Sequence, residues 1–116
     1  MQIIAKSNQP YEGYRISFGN AHAPGGKFHA YGYKANLKLR TDDDDAFGLV
    51  TIPFDDFTDF WDDATGDPIH TCKENSLYCP DEFTLQNMLR LAIWGEGVAG
   101  AVSLEIQSIL LVACSA

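Results

Sequence analysis

Basic residues are scarce in this chain. Lysine and arginine together number eight against 16 aspartates and glutamates, giving a formal charge of −8. Nucleic-acid binders draw their affinity from cationic side chains set against phosphate, so the balance argues against that class and points to a basic partner instead. Long apolar runs are missing too. The longest candidate, the tail Ile109–Ala113, falls far short of the roughly 20 residues a helix needs to cross a bilayer. The opening Met1-Gln-Ile-Ile-Ala-Lys6 has neither the basic-then-apolar layout of a secretory signal nor the Arg/Ser-rich character of a transit peptide, which suggests a mature form or a truncated start. Also absent are the nucleophile elbow, the phosphate-cradling Walker loop and the HExxH pair, so an enzyme is not expected. There is no internal repeat.

What is present is one domain's length of chain, 116 residues with 46% hydrophobic content, enough for a single packed core. Tyr14, Ile16 and Phe18 alternate with Arg15 and Ser17, the period of a half-buried strand. Asn20–Gly26 reads as a loop around Pro24-Gly25-Gly26. Tyr31, Tyr33, Ala35, Leu37 and Leu39 then share one face, with Gly32, Lys34, Asn36, Lys38 and Arg40 on the other. That pattern predicts a long antiparallel strand with one wet side.

The run Asp42–Asp45 interrupts it as a solvated turn, and it lacks the Gly and Glu spacing of an EF-hand. Phe47–Pro53 resumes as a short strand, with Pro53 at its end or on an edge. From Phe54 to Pro80 aromatics interleave with acids at spacings of three and four, which predicts a helical turn or two tucked against the sheet. A brief helix is expected over Asp81–Met88, capped by Asp81. Arg90–Gly95 and Ala101–Ala113 are the last strands. In the final one the apolar set changes phase, from Val102, Leu104 and Ile106 to Ile109, Leu111 and Ala113, so a bulge is expected near Gln107-Ser108. These elements predict an all-β antiparallel β-sandwich of the jelly-roll kind, with one or two short helices in the 54–89 insert. Residues 14–114 would form the domain, and residues 1–13 an N-terminal extension or truncated strand.

Val50-Thr-Ile-Pro-Phe-Asp-Asp-Phe57 is followed by Arg90-Leu-Ala-Ile-Trp94 and by Gly100-Ala-Val-Ser-Leu-Glu-Ile-Gln-Ser-Ile109. These strings resemble the C-terminal half of the complex I intermediate-associated protein 30 family, which carries an IPF-x-x-F element and a later G-x-x-x-L-E-I-x-x-I strand. The segment Phe57–Pro68, with Cys72 and Cys79 beyond it, looks most like versions from photosynthetic algae. The resemblance implies a galactose-binding-domain-like jelly roll that binds rather than catalyses, since members serve assembly of respiratory complex I and relatives serve photosystem biogenesis. The resemblance lacks the family's N-terminal strands, and the sheet edges this would expose imply either an incomplete chain or a partner that covers them.

Several residues are candidates for a site. Asp62, Asp63 and Asp67 around Thr65-Gly66 could aim carboxylates at one Ca²⁺, against the plainer reading of a solvated turn. His22, His29 and His70 are scattered and match no zinc spacing. Cys72 and Cys79 are too far apart for a CxxC redox pair. A disulfide closing their loop is preferred to free buried thiols, would leave Cys114 odd, and would imply an oxidising compartment. Phe57, Phe60, Trp61 and Trp94 are candidates for partner or ligand contact, with Trp94 out of phase with Leu91 and Ile93. The expected role is an accessory or assembly subunit bound to protein subunits of a membrane electron-transfer complex, peripheral to a membrane in a plastid, thylakoid lumen included, or a mitochondrion. The alternative is a carbohydrate-binding module in an oxidising compartment.

Overall fold

Six short strands pair into two antiparallel sheets. The computed structural model describes residues 1–7, 11–20, 32–39, 47–62, 64–80, 82–86, 88–100 and 102–111. The strands are β1 (Gln2–Ser7), β2 (Tyr14–Asn20), β3 (Tyr33–Asn36), β4 (Gly48–Thr51), β5 (Met88–Gly95) and β6 (Leu104–Leu110). Sheet I has the order β4-β1-β6 and sheet II the order β3-β2-β5. First pairs with last and second with last but one, the nesting of a β-ribbon rolled into a sandwich.

The core follows from alternation. Ile3 and Ala5 of β1 face Ile16 and Phe18 of β2 and Tyr33 and Ala35 of β3 across the sandwich, all buried. The ring of Phe18 lies 4.9 Å from Phe57 and 5.6 Å from Tyr33, measured between centroids. Residues 2–7 form strand β1, paired with β4 and β6 and contributing Ile3 and Ala5 to the core. The N-terminal ammonium of Met1 even donates to the Ile52 carbonyl at 2.9 Å, and Ile52 N–H returns a bond to Met1 at 2.8 Å.

The expected bulge is present. Ile4 stands opposite Ser108 and Ala5 opposite Ile106, so Gln107 is the extra residue. The insertion puts Leu104 and Ile109 on the same inner side despite their odd spacing, and both pack against the core.

Several elements differ from expectation. The strand predicted over Tyr31–Leu39 is ordered as β3 only from Tyr33 to Asn36, and Tyr31 lies outside the described residues. Its polar face is wet at Asn36 and Lys38 but not at Lys34, which is buried together with Arg15 and Ser17 of the neighbouring β2 because the segment after β4 folds over them. The helical turns expected in that insert are present as two 3₁₀ turns, at Phe54–Asp56 and Ser76–Tyr78. The brief helix α1 spans Glu82–Gln86, its expected cap Asp81 lying outside the described residues. Among the described residues no helix is long and apolar enough to cross a membrane.

Candidate functional site

Arginine, serine and lysine on the outer face of sheet II become buried because Phe57–Pro80 packs over them as a third layer. Thr58 anchors that layer: its N–H donates to the Lys34 carbonyl at 3.1 Å, and Lys34 N–H donates back to the Thr58 carbonyl at 2.9 Å. The Lys34 ammonium then sits 3.6 Å from the ring centroid of Trp61 and 4.4 Å from that of Trp94. Its charge is met by Glu96, and its side chain is 1% exposed. A cation held against two indole faces and one carboxylate is compensated by cation–π attraction as well as by the ion pair. Both indoles are fixed, Trp94 Nε1–H by Ser17 Oγ at 2.8 Å and Trp61 Nε1–H by the Gly32 carbonyl at 3.4 Å.

A second buried cation sits beside it. Arg15 Nη2 donates to Asp67 Oδ1 at 2.9 Å and Nε to the Gly66 carbonyl at 3.3 Å, so the guanidinium grips the turn at Ala64–Asp67 from below. Gly66 has φ +75°, and a Cβ there would lie 2.5 Å from Glu96 Oε1, so the turn needs glycine for both conformation and space. Asp62 Oδ1 accepts from the N–H groups of Ala64 and Thr65 at 2.7 and 3.2 Å. Of the carboxylates weighed for Ca²⁺ against a solvated turn, Asp62 hydrogen-bonds within its own turn and Asp67 pairs with Arg15. Asp63 lies outside the described residues, and the described ones contain no cluster of ligands fit for a metal ion.

The outer half of the layer is closed by the disulfide Cys72–Cys79. Disulfides form and persist in oxidising environments. Above it the rings of His70 and Tyr78 stack at 4.9 Å with an interplanar angle of 8°, and Phe60 meets both edge-on. Thr58 Oγ1 donates to the His70 carbonyl at 2.6 Å, tying this aromatic group to the anchor on Lys34. The hydrogen bond with His70, followed by that from the Thr71 N–H, holds the Glu74 carboxyl below its ordinary range. At the rim, β3 and β4 part around an open notch of about 410 Å³ lined by Asn36, Lys38, Ile52, Asp55, Asp56 and Lys73 among others. Within it Lys73 pairs with Asp56 at 2.8 Å, a bond that raises the lysine's pKa, aided by the charges of Asp56 and Asp55.

The four aromatic candidates therefore divide. Phe57 is fully buried in the core and Trp61 is only 3% exposed, so neither has a face to give a partner or a sugar. Trp94 is half-buried against Lys34, and Phe60 half-buried against His70 and Tyr78. The acidic run Asp42–Asp45, His22, His29 and Cys114 lie outside the described residues. Sequence reasoning missed the roles of Lys34, Arg15 and Glu96. The available signal was the insert itself, whose buried-type aromatics require a surface to cover. A scan against family models and searches of curated proteins and of solved structures found no match.

Proposed function

We propose that this chain is a non-catalytic binding module that acts as an accessory or assembly subunit of a membrane electron-transfer complex, docking through the outer face of sheet I. The observation that carries this reading is the inequality of the two sandwich faces. Sheet II is covered by the insert, which consumes its cations in internal contacts. Sheet I carries no such layer among the described residues, and its outer face exposes Leu49 (60%), opposite Ile4, and Leu110 (58%), opposite Gln2, among the polar side chains of Thr51, Ser108, Lys6 and Glu105. The ion pair on that face, Lys6 with Glu105 at 3.0 Å, is neutral overall. Exposed apolar surface rimmed by polar groups is the kind that proteins use on one another. The nature of the complex, and an organelle-bound peripheral location, are supported by the resemblance of Val50–Phe57 and Gly100–Ile109 to an assembly-factor family.

The carbohydrate alternative looks to an aromatic platform that includes Trp61, and the 3% exposure of Trp61 favours the docking reading over it. Gentle-detergent fractionation of membranes holding the tagged chain tests the preferred reading. The wild-type chain is expected to migrate with a large complex, and Leu49→Lys with Leu110→Lys to migrate alone while keeping the wild-type melting temperature. A wild-type chain that runs as a lone monomer sinks it.

A further inference from the structure

The insert carries a surface of its own. Ile69 and Leu77 are 53% and 46% exposed, and each precedes one ring of the His70–Tyr78 stack, with Phe60 packed edge-on behind. This apolar patch is rigidly built. Ile69 and His70 both donate to the Phe60 carbonyl, at 3.0 and 3.2 Å, and the chain bearing Leu77 is closed by Cys72–Cys79. A patch already fixed in place loses little freedom when something settles on it.

Charge selects the occupant. Between Phe54 and Glu82 the sequence has nine acids and one lysine, while the rest of the chain has seven acids and seven bases. The whole net charge of −8 therefore arises between Phe54 and Glu82, in the covering layer and the residues that flank it. Asp67 and Asp56 are answered by Arg15 and Lys73, but the stretch from Phe54 to Glu82 as a whole stays strongly negative. We propose that the insert is a second docking surface, distinct from sheet I, which takes a basic protein segment whose apolar side chains settle on Ile69 and Leu77. The acids attract and orient the segment, and the patch gives it a fixed seat.

Fluorescence anisotropy with three labelled peptides tests this: a Lys/Leu peptide, a Glu/Leu peptide of the same length, and hexalysine. The Lys/Leu peptide is expected to bind saturably and the Glu/Leu peptide not at all, with affinity falling several-fold between about 50 and 300 mM salt. Ile69→Ser with Leu77→Ser should weaken binding about tenfold, the equivalent of losing two partly buried aliphatic contacts, with the melting temperature unchanged. Leu49→Lys, on the other face, should leave it unaffected. Should the double variant fail to fold, the Ile69 and Leu77 methyl resonances of the wild-type protein must shift on titration. Absence of saturable binding, hexalysine binding as tightly as the Lys/Leu peptide, an unaffected double variant or unmoved methyls would each overturn the proposal. Loss of binding in Leu49→Lys alone would overturn it as well, without touching the reading of sheet I.

Discussion

Lys34 shows how a side chain's neighbours decide its worth. In β3 it alternates with Tyr33 and Ala35 and by that pattern belongs in water, yet Trp61 and Glu96 arrive from distant parts of the chain and enclose it. Lys34→Met keeps most of the apolar volume but leaves Glu96 with 13% exposure and no ammonium beside it. The expected cost is about 2–4 kcal/mol, toward the lower end for a broken buried pair because Glu96 retains some water contact. Lys34→Met combined with Glu96→Gln should be more stable than Lys34→Met alone, since both charges then vanish together. Urea denaturation of Lys34→Met, Glu96→Gln and the double variant checks this, and strictly additive losses would show that the pair is not coupled.

At the scale of elements, β6 illustrates a case where pattern was enough. The phase change between Leu104 and Ile109 can keep both packed against the core only if one residue is left over, and Gln107 is that residue. Deleting Gln107 forces a choice between turning Leu104 outward and turning Ile109 outward, because side chains alternate with a period of two. Either outcome exposes an aliphatic side chain worth roughly 1.5–3 kcal/mol of burial, so the melting temperature should fall by several degrees. A deletion variant that melts with the wild type would mean the bulge carries no register. In contrast β1 was hard to read, because Ile3 and Ile4 are both apolar and blur the alternation that Ile3 and Ala5 follow in the sandwich.

For the molecule as a whole, the covering layer is the feature on which both faces depend. Its outer loop is closed by Cys72–Cys79, a separation of 7 residues. Replacing both cysteines by serine should lower stability by about 2–3 kcal/mol through the freedom restored to the unfolded loop. If the layer is a separable cover, limited proteolysis of that variant should cut first within residues 57–80. Unchanged stability and an unchanged first cleavage site would show that Thr58, Trp61 and Asp67 hold the layer without help.

The sequence by itself determined the sandwich, since alternation in Tyr14–Phe18 and Tyr33–Leu37 and the phase slip in β6 are local properties that survive without knowledge of partners. The Cys72–Cys79 pair was likewise readable, because a short loop brings its own ends together. What only the tertiary structure decided is which polar side chains are dry. Arg15, Ser17 and Lys34 lie on the face the pattern assigns to water, and they are buried because a segment more than 20 residues further along the chain folds back across them. Burial of that kind depends on long-range packing of one surface against another, which no periodicity within a strand encodes.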